Sequence, residues 1–299
     1  MSAHVHGILL LDKPHGMSSA GAVARAKRLF GAAKAGHTGA LDPLADGLLP
    51  ICFGEATKFG AHLLAADKTY RVTARLGERT ASADLESPII ERRAIAAFTR
   101  ADIEGALAQF PRDYLQVPPM HSAIKQNGKP LYEYARAGEV RVREPRPIVI
   151  HELRLIEYRQ PDLQFLVRCS KGAYIRVLAE DLAARLGTVA HLTALRRVAV
   201  APFSAAAQWS FPALEALELA ERRQVLLPVD AALLAWRRLD LAADGVDALR
   251  QGRSLDLSAE ASGAVRIYAP GLGFLGLGEI DRSGRLVPLR LIAASANRA

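Results

Sequence analysis

The sequence predicts an α+β fold, a mixed and largely antiparallel sheet flanked by helices, followed by a small C-terminal β-barrel. Three observations lead there. Lys68 to Gly77 and Leu163 to Cys169 alternate strictly between apolar and polar side chains, which is the period of a half-buried strand. The strands are irregularly spaced along the chain, which argues against regular strand–helix–strand repeats. The last stretch, VRIYAPGLGFLGLGEIDRSGRLVPLRLI, reads as short strands joined by Gly-rich turns.

The elements follow in order. Ile8 to Leu11 is a short apolar run, a buried strand stopped by the KPHG turn. Ser18 and Ser19 suit the cap of a helix that carries Val23, Ala26, Leu29 and Phe30 on one face and is closed by Gly31. Gly36 to Phe59 reads as a long loop with an apolar exit. In the first alternating stretch Tyr70, Val72, Ala74 and Leu76 face one way and Thr69, Arg71, Thr73 and Arg75 the other. Thr99 caps a helix running towards Phe110. The second alternation is followed by a helix from about Tyr174, with Ile175, Leu178, Leu182 and Leu186 inward and Gly187 as its stop.

Between Pro111 and Pro147 the prolines crowd together around one short helix, PLYEYARAG. A loop this long inside a compact domain is usually functional. Its Lys125, Lys129, Arg136, Arg141, Arg143 and Arg146 outnumber Glu133, Glu139 and Glu144, a balance that on charge alone describes a solvated surface. A second, smaller unit starts after about Leu227, so two domains are expected, 1–227 and 228–299. Gly271, Gly273 and Gly276 spell GxGxxG, but the turn DRSG follows too soon for the helix that a dinucleotide site requires, and no such site is expected.

Composition narrows the function classes. The 39 Lys and Arg against 31 Asp and Glu give a formal charge of +8 and a pI near 9.7, which favours an acidic partner, nucleic acid first among them. Cys52 and Cys169 stand alone in apolar stretches and form neither a disulfide framework nor a metal clip, in keeping with a reducing cytosol. His4 and His6, close together near a chain end, read as a frayed terminus and not a metal pair. The first apolar run is too short for a signal peptide, and no stretch has the length of a membrane helix. A soluble, cytoplasmic protein without membrane association is expected.

The stretch richest in chemistry is GHTGALDPLADGLLPICFGEATKF, from Gly36 to Phe59. Pro43 pushes Asp42 out of the helical region. Gly36, Gly39 and Gly47 let backbone pack closely around it. By itself an Asp before a Pro is an ordinary turn former.

That stretch resembles the signature GHTGxLDPxAxGxLP of TruB-type pseudouridine synthases. The likeness continues in order along nearly the whole chain, through GILLLDKPHGMSS, KTYRVTARLGERT, PPMHSAIKQNGKPLYEYARAG, SKGAYIRVLAEDL, HLTALRR and GLGEIDRSGRLVPLRL. The resemblance implies a pseudouridine synthase fold carrying an RNA-gripping insertion at about 111–147 and a C-terminal PUA-like RNA-binding domain. It implies isomerisation of a flipped-out uridine to pseudouridine at position 55, in the T-loop of tRNA, by a monomer that needs no guide RNA. Asp42 matches the catalytic aspartate and Arg176 the arginine paired with it. Tyr70 matches the tyrosine that stacks on the target base, His37 the histidine beside the extruded nucleotides, and Tyr174 and Leu195 further pocket residues. The reaction is not a redox one, so no cofactor or metal is expected. Two other readings share the fold: a non-catalytic RNA-binding or RNA-folding module, and a guide-dependent relative of the dyskerin type.

The residues support these roles to differing degrees. Arg176 falls in the first turn of a helix, where an unpaired cation is mildly unfavourable, so a carboxylate partner is expected. Tyr70 opens an inward alternation, and without the resemblance it reads as core. His37 alone is a loop histidine, and Leu195 alone is core. Two departures stand out. His121 occupies a position where the family often has Tyr, and TASADLESP keeps Asp84 but lacks a glycine usual in that loop, leaving its conformation open.

Overall fold

The computed structural model describes residues 5–257 and 261–293. His4 and the last six residues of the expected C-terminal unit lie outside them. The larger part of the chain builds a nine-stranded sheet in the order Gly7–Lys13, Asp46–Phe53, Ala190–Val200, Lys68–Leu76, Asp162–Cys169, Arg146–Arg159, Asp113–Gln116, with Ala35–His37 and Phe203–Ser204 pairing beside this path. All pairings are antiparallel except one: Arg196 and Arg197 run parallel to Asp46 and Gly47.

The first strand shows why the sheet could not be read everywhere by alternation. Leu9 and Leu11 enter the main core, while Ile8 and Leu10 enter a second cluster on the other face with Leu48, Cys52 and Val200. With both faces covered from Ile8 to Leu11, polar residues have no place in that run. The main core is closed by three helices, Ser19–Leu29, Arg100–Ala108 and Ile175–Arg185. Their caps follow the sequence. The Ser18 hydroxyl accepts from Gly21 N, Thr99 and Asp102 form a reciprocal capping box, and Gly31 and Gly187 take positive φ after the first and third helices.

The expected long loop from Gly36 to Phe59 is shorter in the structure. Ala35–His37 and Asp46–Phe53 are strands, leaving residues 38–45 as the connection. Pro50 obscured the second of these. It brings no N–H to the ladder, yet its carbonyl accepts from Thr38 N at 3.2 Å, so the strand holds together on that side through acceptors.

After Leu227 a second, five-stranded sheet forms in the order Arg237–Asp240, Gly263–Ala269, Gly273–Ile280, Arg285–Leu291, Leu255–Asp256, and it curls into a half-barrel. Gly271, Gly273 and Gly276 lie in its central hairpin, where no helix follows. The two sheets are joined by an apolar cluster in which Phe59 packs against Leu233 and Leu277 and lies edge-on to Phe274, ring centroids 5.5 Å apart. Lys58 Nζ donates to the Leu291 carbonyl at 3.0 Å beside this cluster. Among the described residues no helix is long and apolar enough to cross a membrane.

Candidate active site

Asp42 stands in the connection that enters the Asp46–Phe53 strand, and its backbone is held from both sides. The buried Ser19 hydroxyl accepts from Leu41 N at 2.7 Å and donates to Leu41 O at 2.9 Å. Gly16 N donates to Pro43 O at 2.8 Å, and Ala45 N to Asp42 O at 3.1 Å. The loop therefore has little freedom although it contains no regular structure. Gly47 permits its approach to the sheet: at φ +95° a Cβ there would stand 2.4 Å from the Arg197 carbonyl, a distance no side chain tolerates.

The Asp42 carboxylate meets Arg176 Nη2 at 3.0 Å, and its side chain remains 44% exposed. Arg176 itself is buried. Its Nη1 lies 3.4 Å from Asp84 Oδ2 and donates to Ser82 O at 2.9 Å, and Nη2 donates to His121 O at 2.8 Å. One guanidinium thus serves two carboxylates, one buried and one open to the cleft. Burial in the cleft pushes the Asp42 carboxyl above its ordinary value; Arg176 opposes that shift, Asp84 adds to it, and Lys13 opposes it more weakly.

Both departures from the family pattern have a physical account. The loop after Glu78–Thr80 is closed by its own serines. Asp84 Oδ1 accepts from the Ser82 hydroxyl and from Glu86 N, and the Ser87 hydroxyl, where the glycine is lacking, accepts from Ser82 N at 2.8 Å. At position 121 it is the backbone carbonyl that holds Arg176, so the bond does not depend on the side chain there.

A cavity of about 300 Å³ opens in front of Asp42, with Tyr70, Tyr174, Arg176, Leu195 and Arg197 among its walls. Two neighbouring strands supply its floor, with Tyr70 directly opposite Arg197 and Val72 opposite Leu195 in register. The Tyr70 ring is buried, which raises the pKa of its hydroxyl, while Arg197 acts against that rise. Tyr174 is the N-cap residue of the Arg176 helix. It is clamped by Gln116, which accepts from Tyr174 N at 2.7 Å and donates to its carbonyl at 3.0 Å. Five of the six expected residues thus converge on one cavity. His37 does not line it: it sits on the Ala35–His37 strand opposite Ile51, its pKa lowered by burial and by the charge of Arg197.

Sequence reasoning missed two cations of the cleft. Lys68 is buried and donates to the carbonyls of Leu63, Leu64 and Ala66 at 3.0, 2.8 and 2.6 Å, and burial brings its pKa down to about 8. Arg197 is buried more deeply still. The signal for Lys68 was present, because it precedes Tyr70 by two positions and shares its inward phase.

Comparisons with known proteins identify the family. Residues 27–175 match the family described as TruB family pseudouridylate synthase (N terminal domain). Residues 176–234 match the tRNA pseudouridylate synthase B C-terminal domain, and 238–292 the C-terminal part of pseudouridine synthase II TruB. The tRNA pseudouridine synthase B of Actinobacillus pleuropneumoniae serotype 5b is 49% identical over 294 residues, covering 96% of both chains. That of Azoarcus sp. is 48% identical over 294 residues, covering 98% of this chain and 97% of its own. Among solved structures, the Cbf5 chain of an archaeal box H/ACA Nop10–Cbf5 complex superposes with a TM-score of 0.73 at 21% identity, over 99% of this chain and 89% of that one, a likeness of fold. A Cbf5–Nop10–Gar1 complex gives 0.72 at 22% identity, over 97% and 85%.

Fold and family matches together define a pseudouridine synthase, an enzyme that isomerises uridine in RNA. Within that class the chain belongs to the TruB family.

Proposed function

We propose that this enzyme converts the uridine at position 55, in the T-loop of tRNA, to pseudouridine, with Asp42 as its essential carboxylate. The observation that carries the reading is the pairing of Asp42 with buried Arg176, on the wall of a cavity of about 300 Å³ that suits one nucleobase. The names of the relatives, tRNA pseudouridine synthase B, support tRNA as the substrate.

A base stacked inside a folded RNA loop cannot reach such a cavity, so the target nucleotide flips out before reaction. Tyr70 offers its ring to the incoming uracil, and Leu195 and Tyr174 complete the apolar walls. His37, outside the cavity, is left to meet neighbouring nucleotides. Arg176 opposes the rise that burial imposes on Asp42 and so favours the ionised form, which nucleophilic attack or proton removal requires. Three routes fit a carboxylate in this place: attack on the ribose C1′, removal of the C2′ proton, or addition to C6 of the base. Each ends with the base rejoined through C5, and none consumes a cofactor. In this reading residues 1–227 carry catalysis, the basic insertion at 111–147 grips RNA, and residues 228–299 add RNA-binding surface.

The test is to map pseudouridine in uridine-containing tRNA incubated with the purified protein alone. A single new pseudouridine at position 55 is expected. A product only when a guide RNA is added would assign the guide-dependent reading instead, and tight RNA binding without any product would assign the non-catalytic one.

A further inference from the structure

Arg197 is a buried cation with no counter-ion. It is 1% exposed, its Nε donates to Leu48 O at 2.7 Å and its Nη2 to Gly39 O at 3.0 Å. Among the described residues no carboxylate comes within ion-pair distance of it, although its neighbour Arg196 bridges Asp12 and Asp46 at 3.0 Å each. A buried charge left uncompensated is costly, and two bonds to backbone carbonyls could be made by a neutral donor. The other cations around the cleft differ from it. Arg176 is balanced by two carboxylates. The Lys13 and Lys68 ammonium groups also donate only to backbone carbonyls, but burial brings the pKa of each down to about 8, an outlet that a guanidinium does not have. Arg197 lines the cavity and stands directly opposite Tyr70, and its charge acts on the ionisation of Tyr70, His37, Lys13 and Lys68.

The reaction supplies the missing anion. Where the carboxylate attacks C1′, the N1–C1′ bond breaks and its electron pair leaves on the ring. Where C2′ loses its proton, that C–H pair becomes a C1′–C2′ double bond and the N1–C1′ pair again leaves on the ring. Where the carboxylate adds to C6, the C5–C6 π pair moves onto C5 and O4. After the ring turns, C5 bonds to C1′ as the carboxylate leaves C1′ in the first route, or as C2′ takes back its proton in the second. In the third, the N1–C1′ bond breaks before the turn and the carboxylate leaves C6 after C5 has bonded to C1′. In each, C5 gives up its proton and N1 takes one, so nothing is consumed. In all three routes the uracil ring is negative between the breaking of one bond and the making of the next. We propose that Arg197 is a further catalytic residue, whose uncompensated charge at the cleft floor stabilises the anionic uracil ring. The assignment rests on the reading of the cleft as the uridine site. A preorganised charge aimed at an anion that exists only during reaction favours the transition state over bound substrate.

The test compares Arg197→Met and Arg197→Lys with wild type in single-turnover reactions, using tRNA carrying either uridine or 5-fluorouridine at the target and following loss of the parent nucleoside. Fluorine stabilises the ring anion, so the 5-fluorouridine reaction needs less help from the enzyme. Arg197→Met is expected to slow the uridine reaction by about 10²–10³-fold while RNA affinity changes by no more than about threefold. Its penalty on 5-fluorouridine should be smaller by about tenfold or more. Arg197→Lys, which keeps the charge, should lie between Met and wild type. Equal penalties on both substrates in a folded variant would show that the side chain only braces the sheet, and would overturn the proposal. So would failure of both variants to fold, because the guanidinium would then be an architectural necessity. A wild-type enzyme inactive on tRNA would instead overturn the functional reading on which the proposal stands.

Discussion

Asp42 and Asp84 share one guanidinium but differ in access. The Asp42 side chain is 44% exposed to the cleft and that of Asp84 only 1%. Only Asp42 is open to a substrate, and Asp84 holds the other end of Arg176. Asp42→Asn therefore removes the carboxylate proposed to react without stranding the arginine. Pseudouridine formation should fall by about 10⁴-fold or more, with tRNA binding retained. Because Asp84 remains 3.4 Å from Arg176, the melting temperature should move far less than the loss of about 3–5 kcal/mol typical when a buried ion is left alone. Rapid turnover in a well-folded Asp42→Asn enzyme would remove Asp42 from the mechanism.

The same pair sets a pH dependence whose sign can be worked out. Burial and, to a lesser degree, Asp84 raise the Asp42 carboxyl above its ordinary value, so its protonated form, which cannot act in the proposed reaction, persists to higher pH than a free aspartate would allow. The acid limb of kcat/KM should lie above the ordinary aspartate range. Asp84→Asn takes away one of the raising causes and leaves Arg176 to Asp42 alone, so the limb should move to lower pH. A pH–rate profile of the two enzymes decides the matter, and a shift to higher pH in the variant would contradict this account of the cleft.

At the scale of elements, the loop bearing Asp42 owes its shape to the helix before it. Ser19 is the first residue of the Ser19–Leu29 helix, and Ser18 alone serves as its cap, which leaves the Ser19 hydroxyl free to hold both the N–H and the carbonyl of Leu41. Ser19→Ala should loosen the aspartate without touching the other walls of the cavity. The expected result is a kcat lowered by about tenfold, with KM for tRNA nearly constant and a stability loss of about 1–3 kcal/mol from the two buried backbone groups left unpaired. Ser19→Thr, which keeps the hydroxyl, should recover much of the rate. A rise in KM at constant kcat would place Ser19 in RNA binding instead.

Legibility also follows the elements. Strands with one wet face, such as Lys68–Leu76, could be read from alternation, and helices from their caps. Asp46–Phe53 is buried on both faces and carries Pro50, so it read as the exit of a loop. Ala190–Val200 pairs with three other strands, and its bulges at Leu192/Ala194 and Arg197/Ala199 break the period that would have announced it. Much of the site was legible only through family likeness, because Asp42, Tyr70 and Arg176 lie far apart in sequence and meet only when the sheet forms. What resemblance left unspecified was the charge balance: which carboxylate is buried, and that Arg197 has none.

At the scale of the whole molecule, the curled C-terminal sheet is joined to the part built on the nine-stranded sheet through buried apolar side chains. Removing it would uncover Phe59, now 2% exposed, together with its neighbours in the cluster, so truncation would strip the proposed RNA-binding groups and breach the packing at once. Substitutions in the full chain separate the two effects. Arg250, in the last turn of the Ala243–Arg250 helix, and Arg253 just beyond it are exposed, on a unit whose proposed role is to add RNA-binding surface. If both meet phosphates, Arg250→Gln with Arg253→Gln should weaken tRNA binding and flatten the plot of log affinity against log salt by about 0.7–0.9 for each phosphate no longer neutralised. The rate at saturating tRNA should stay within about twofold of wild type, because neither residue touches the cleft, and the melting temperature should hold because Phe59 stays covered. Binding titrations at several salt concentrations, paired with single-turnover rates, measure both quantities on the same protein. An unchanged salt slope would remove these two arginines from the RNA interface. A fall in the saturated rate would mean that the half-barrel positions the T-loop over Asp42 as well as holding the RNA.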